Sequence, residues 1–135
     1  MRTLYEVTTM DHTFQNAFSF NQPIGNWSVA KVTDMVCIFC STRWFNQPLG
    51  DWNVAKVTRM GCMFSYALAF NQPLGDWSAR LGSVTDMTAM FYRALAFDQD
   101  LGWCLDADVL ANDMFTDTPC GPGCGVTQPV GGCPP

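Results

Sequence analysis

The chain has 135 residues with a formal net charge of −5, and 48% of them are apolar, which is enough for one domain and argues against disorder. Its seven basic residues are scattered, so no patch exists to neutralise a run of phosphates, and nucleic acid is a poor partner. The sequence has no uninterrupted run of about 18 apolar residues that could form a transmembrane segment, and its start lacks the apolar region of a signal peptide.

A block of eight residues recurs at a fixed spacing and organises the chain. Residues 20–27 read FNQPIGNW, and the block returns as FNQPLGDW at 45–52 and at 70–77, each time 25 residues later. A degraded fourth copy begins at Phe97, displaced by a two-residue insertion. A Val-Thr-x-Met motif keeps the same period. Self-similarity of this kind is typical of repeat proteins.

The repetition divides the chain into two parts. Residues 1–120 are predicted to form the repeat region, with units near 10–34, 35–59, 60–86 and 87–113, a partial first strand at 2–7 and a C-terminal cap. Residues 121–135 are rich in Pro and Gly, and we expect an unpacked tail there.

Two periodicities alternate within each unit. Met35, Ile38, Phe39 and Thr42 stand at i, i+3, i+4 and i+7, which is one face of a two-turn helix, with Thr33 at its N-cap. A Pro-x-Gly turn follows each polar loop, and a Trp-x-Val segment after it alternates as a short strand does.

Neither element is stable alone, so successive units must bury each other's apolar faces. We therefore predict an α/β solenoid of about four 25-residue coils, each a short helix, polar loop, turn and short parallel strand. Equivalent Met, Phe and Trp residues would form core columns. The repeated Asn and Gln beside each Phe, at 21–22, 46–47 and 71–72, would form hydrogen-bonded ladders, because unpartnered amides beside the core are unfavourable.

The repeat resembles a known family. The string MxxMFxxAxxFNQPLGDW, followed by VTDM, is found from Met60 to Met87 and closely resembles the repeat of BspA-like surface proteins. The resemblance implies a leucine-rich-repeat-like solenoid with a surface or secreted interaction role. It offers no catalytic residues to carry over, and localisation at a cell surface or outside the cell depends on it alone.

The chain has seven cysteines, and four of them lie near its C-terminal end. We expect one disulfide from Cys104 to either Cys120 or Cys124, with Cys133 free or intermolecular. Zinc binding by Cys37, Cys40, Cys62 and His12 is a minor alternative, since a second ligand pair is lacking. Aspartates crowd the cap, but the loop spacing of a calcium site is absent. No metal site and no cofactor are therefore predicted.

The favoured function is a non-enzymatic module for protein or glycan binding, or adhesion, because solenoids offer an extended face and no activated nucleophile is present. Two alternatives remain: a structural or ice-binding solenoid with a threonine column, or a carboxylate-dependent carbohydrate-active enzyme using Asp51 and Asp76. The sequence does not identify ligand-binding residues, the partner or the oligomeric state.

Overall fold

The computed structural model describes residues 6–121 and 123–135, and irregular coil and turns dominate them. Within these ranges the only helix is a 3-10 helix at Gly75–Arg80, and strand pairing is limited to isolated bridges that form no sheet. The predicted α/β solenoid, with a helix and a parallel strand in each leucine-rich-repeat-like coil, is therefore wrong. Most of the predicted partial strand at 2–7 lies outside the described residues.

Consecutive β-turns stand where helices were predicted. The amide of Ile38 donates to the carbonyl of Met35, which closes a turn at 35–38, and an equivalent turn follows at 39–42. The third residue of the first turn, Cys37, has a left-handed φ of 55°, which breaks an α-helix. The first and last residues of two successive four-residue turns fall at i, i+3, i+4 and i+7, which is also the spacing of one face of a helix. The pattern thus predicts which residues face the core, but it does not predict the conformation of the backbone.

The amides that a helix would use internally bind the next repeat instead. Phe39 N–H donates to the carbonyl of Met63 at 2.9 Å, and Ser41 N–H donates to that of Ser65 at 2.9 Å. The same pattern recurs one repeat later. Because these bonds run between repeats, each repeat depends on its neighbour for its hydrogen bonding.

Thr33 is not an N-cap. Its N–H and its hydroxyl both donate to the carbonyl of Thr8 in the preceding repeat, at 2.7 and 3.2 Å. The next residue, Asp34, forms single-residue parallel bridges with Thr9 on one side and Arg59 on the other. Strand-like pairing between successive repeats is thus confined to one residue in each repeat.

The core is built from columns of equivalent residues, as the repeat predicts. Phe39 lies between Phe14 and Phe64, with ring centroids 5.7 and 5.4 Å away. A second Phe column, made of Phe20, Phe45, Phe70 and Phe97, stacks beside the first at about 4 Å. Across both columns, rings in consecutive repeats are 5.2–6.0 Å apart. The Phe residues of the internal repeats are fully buried.

The Trp-x-Val segments are turns rather than strands. Trp52 N–H donates to the carbonyl of Leu49, and Val57 N–H to that of Val54. The Trp52 indole N–H reaches the carbonyl of Ile24 in the preceding repeat at 3.0 Å, and Trp77 and Trp103 repeat this contact. The tryptophans therefore join repeats through both packing and a buried hydrogen bond.

The amide ladder predicted from the Asn-Gln pairs is confirmed. The Asn46 N–H donates to Oδ1 of Asn21 at 2.9 Å, and Gln47 Nε2 donates to the same oxygen at 3.0 Å. Asn71 and Gln72 repeat this arrangement on Asn46. Each Asn therefore accepts two hydrogen bonds from the following repeat.

The C-terminal segment is packed, so the expectation of an unpacked tail at 121–135 is wrong. Thr127 pairs with the residues around Cys104: its N–H donates to Trp103 O at 2.9 Å, and its carbonyl accepts from Leu105 N–H at 2.8 Å. Gln128 Nε2 donates to the carbonyl of Val109 at 2.8 Å. Backbone pairing, which composition does not reveal, holds this segment against the last repeat.

Candidate functional site

Apolar side chains are exposed together on one edge of the molecule. Five of the seven large apolar side chains that are exposed among the described residues lie four, two or one residue before the Phe of the second Phe column. Trp44 is 65% exposed and Leu95 is 52% exposed. We call this edge the exposed strip; it consists of Phe18, Arg43, Trp44, Tyr66, Leu68, Arg93 and Leu95.

The backbone explains why these side chains point outward. In the three internal repeats the second turn ends at a buried residue, such as Ala67, and the next buried residue is the Phe three positions later, such as Phe70. The two residues between them lie outside the core. Tyr66 occupies the left-handed position of that turn, with φ of 58°, and is exposed as well.

Two arginines lie on aromatic rings within the exposed strip. The Arg43 guanidinium is 5.0 Å from the centre of the Phe18 ring, and that of Arg93 is 5.8 Å from the Tyr66 ring. Arg93 Nε also lies 3.5 Å from a carboxylate oxygen of Asp117, and both side chains are about half exposed. The strip therefore combines apolar surface with positive charge on a chain whose net charge is negative.

A second surface feature is a shallow acidic groove of about 620 Å³. It is lined by the repeated Pro and Gly residues and by Asp51, Asp76 and Asp100. All three aspartates are exposed. The structure thus brings together the two carboxylates of the enzyme alternative, Asp51 and Asp76, but it leaves them open to solvent at equivalent positions of successive repeats.

The threonine column of the ice-binding alternative has its hydroxyls engaged within the protein. The hydroxyls of Thr33, Thr58 and Thr85 each donate to the carbonyl of the threonine one repeat earlier, at 3.1–3.2 Å. These threonines join repeats to one another.

The disulfides differ from the predicted pairing. Cys104 is bonded to Cys133, and Cys120 is bonded to Cys124. The predicted bond from Cys104 to Cys120 or Cys124 is therefore not present, because pairing of the C-terminal segment with residues near Cys104 brings Cys133 there. Disulfides persist in oxidising environments, so the two bonds indicate an extracellular or cell-surface location.

The three remaining cysteines are free. Cys40 is buried, and its thiol donates to the carbonyl of Cys62 at 2.8 Å. Burial raises the pKa of the Cys40 thiol, and it also raises the pKa of Cys37, which lies beside the other two thiols. The Cys37 and Cys40 thiols are therefore poor nucleophiles at neutral pH.

The residues of the zinc alternative are not assembled as a metal site. His12 lies one repeat before the equivalent Cys37, and its Nδ1 contacts the Asp11 carboxylate at 3.1 Å. Across residues 6–121 and 123–135, no group of three or more His, Cys, Asp or Glu side chains could hold a metal ion.

Sequence reasoning did not identify the exposed strip. Its members occupy positions whose residue varies between repeats, although the position of Leu95 carries Phe18 and Leu68 in two other repeats. The available signal was an apolar residue, such as Trp44 or Leu95, at a position outside the predicted core columns. Those positions are best recognised once the turns are known.

No helix in the described part of the chain has the length and apolar character needed to cross a bilayer.

Comparison with known proteins identifies the repeat family. Comparisons with curated proteins and with solved structures give no match. A family model described as "Mycoplasma protein of unknown function, DUF285" matches residues 3–104, which is most of the chain and nearly all of its repeats. The chain therefore belongs to the DUF285 family.

Proposed function

We propose that the chain is a non-enzymatic binding module, displayed on a cell surface or secreted, which holds a protein or glycan partner on the exposed strip. The observation that carries this proposal is the grouping of Trp44, Leu68 and Leu95 on one edge. Apolar side chains scattered singly over a surface need no explanation, whereas a contiguous group of them is typical of an interaction site.

The composition of the strip supports the same function. Trp, Tyr and Arg are the residues most enriched among the strongly contributing positions of protein interfaces. All three occur here within neighbouring repeats, as Trp44, Tyr66 and the two arginines. The resemblance to BspA-like surface proteins and the two disulfides support the surface or secreted location.

The structural design also favours binding over catalysis. The residues that would be used for chemistry, Asp51 and Asp76, are exposed equivalents in a periodic row. Catalytic carboxylates commonly depend on different environments that separate their pKa values. A row of equivalent, solvated carboxylates lacks that asymmetry.

The test is a binding screen with matched variants. Purified protein is applied to an array of glycans and to an array of extracellular protein domains. The variant Trp44→Ser/Leu68→Ser/Leu95→Ser removes the apolar part of the strip. The control Leu110→Ser/Val130→Ser removes exposed apolar side chains elsewhere.

We expect at least one array signal that the strip variant loses and the control retains. Signals that both variants retain, or arrays without any signal for the wild-type protein, would contradict the proposal. Thermal unfolding should show both variants still folded and cooperative, because each of the five side chains is at least 36% exposed.

A further inference from the structure

The exposed strip has a charge and a repeat spacing that define its partner more closely. This inference depends on the proposed function, since it takes the strip to be a binding surface. We infer that the partner is a protein segment in the form of an amphipathic helix, with apolar side chains one turn apart and acidic side chains beside them.

Charge complementarity is the first argument. The chain carries seven basic and twelve acidic residues, yet two arginines lie within this one edge. Arg43 makes no ion pair with any carboxylate among the residues the structure describes, and it rests on the Phe18 ring. A partner carboxylate could bind the Arg43 guanidinium through two parallel hydrogen bonds.

Arg93 offers a second cation of the same kind. Its contact with Asp117 is 3.5 Å long, and both side chains remain about half exposed. An exposed pair of this type contributes little to stability, so a partner carboxylate can compete for the guanidinium. Arg43 and Arg93 lie two repeats apart along the strip and would hold acidic side chains two helical turns apart.

Spacing is the second argument. Equivalent rings in consecutive repeats are 5.2–6.0 Å apart. One turn of an α-helix rises about 5.4 Å, so a helix lying along the strip places one apolar side chain on each repeat. Four repeats contribute to the strip, and they match the i, i+4, i+7 and i+11 positions at which amphipathic helices present their anchors.

Side-chain chemistry separates this partner from a glycan. Leu68 and Leu95 are aliphatic, and the residues after them, Ala69 and Ala96, add no polar side-chain group. Sugars require hydrogen-bonding groups to replace the water around their hydroxyls. An apolar helix face requires none, so the aliphatic half of the strip fits a protein segment better.

The test uses a displayed peptide library selected on the full chain with its disulfides intact. Each member has apolar residues at i, i+4, i+7 and i+11 and randomised flanking positions. Members that also bind the Trp44→Ser/Leu68→Ser/Leu95→Ser variant are removed. A parallel library carries a proline in the middle of each peptide, which prevents a continuous helix.

We expect recovered peptides to come from the helical library and to be enriched in Asp and Glu over Lys and Arg. Arg43→Gln/Arg93→Gln should lower the affinity for a selected peptide by about tenfold or more. Lys31→Gln/Lys56→Gln, which removes two positive charges elsewhere, should leave its affinity within about twofold. Affinity should also fall as salt is raised.

Three outcomes would overturn the inference. They are recovery of no strip-dependent peptide, equal recovery from the proline library, and peptides without an acidic bias. If a strip-dependent glycan or anionic phospholipid vesicle is bound in their place, the partner class is wrong while the binding function stands. If no probe of any class depends on the strip, the proposed function fails as well.

Discussion

Replacement of Trp52 by Phe tests whether one repeat is joined to the next as the structure describes. Trp52 is fully buried, and its indole N–H donates to the carbonyl of Ile24 at 3.0 Å. Phe keeps most of the apolar ring but has no donor. The variant therefore loses one hydrogen bond between repeats and part of a packed side chain.

The expected loss in the free energy of unfolding has two parts. A hydrogen bond within a folded protein contributes about 0.5–1.5 kcal/mol net. The smaller ring leaves a void in a fully buried site, which costs about 1–2 kcal/mol more. The Ile24 carbonyl still accepts the N–H of Trp27, so no further penalty for an unpartnered oxygen is expected. The sum is about 1.5–3.5 kcal/mol.

The assay is urea unfolding under oxidising conditions, so that both disulfides stay closed. Trp44→Phe is the matched control, because this tryptophan is 65% exposed. Its loss should be within about 0.5 kcal/mol. Equal losses for the two variants, or a loss below about 0.5 kcal/mol for Trp52→Phe, would refute the assignment of this indole to the contact between repeats.

Three further variants test other contacts. Gly25→Ala should destabilise by about 1–3 kcal/mol in urea unfolding, because the added Cβ would lie 2.6 Å from the carbonyl oxygen of Pro48. Cys104→Ser/Cys133→Ser should lower the free energy of unfolding by about 3–4 kcal/mol, because the disulfide closes a loop with a sequence separation of 29. Thermal unfolding measures this loss. Asn46→Ala removes the acceptor of two hydrogen bonds at an exposed site and should cost about 1 kcal/mol in urea unfolding.

Each of these variants has a control. Gly50→Ala places its Cβ no closer than 3.6 Å to a neighbour and should be nearly neutral. Cys120→Ser/Cys124→Ser opens a short loop and should cost about 2 kcal/mol. Gln22→Ala is an exposed change at the first repeat and should cost less than Asn46→Ala. A reversed order within any pair would contradict the contact that it tests.

The period of the sequence was sufficient to predict the core and the amide ladder. Phe39 and Phe64 are equivalent residues, and they stack as the 25-residue spacing requires. Asn46 and Gln47 hydrogen-bond to Asn21 for the same reason. Contacts between equivalent residues follow from repetition itself and need no knowledge of the backbone conformation.

The secondary structure could not be predicted in the same way. Met35, Ile38 and Phe39 face inward in a pair of β-turns as they would in a helix, so their spacing does not distinguish the two. The left-handed residue that decides the matter is Cys37, which has no intrinsic preference for that conformation. Hydrogen bonds to the next repeat impose it, and these depend on tertiary structure.

The disulfides and much of the exposed strip were missed because their residues do not recur in every repeat. Cys133 reaches Cys104 through backbone pairing of a segment whose composition suggested a tail. Trp44 stands at a position where the other repeats carry Ser19, Ala69 and Ala96, and the position of Leu95 carries Arg43 in one repeat. Features that differ between repeats cannot be predicted from the residues that the repeats share.

The left-handed positions of the turns carry a wider consequence. Their occupants are His, Cys, Cys, Ala and Asp at the first position and Asn, Ser, Tyr, Arg and Asp at the second. Such diversity means that the backbone tolerates small, polar, charged and aromatic side chains there, although none of the ten is β-branched. Single substitutions at these positions can therefore change the side chains at the turns while the core stays intact. Related chains could then differ in binding specificity without a new fold.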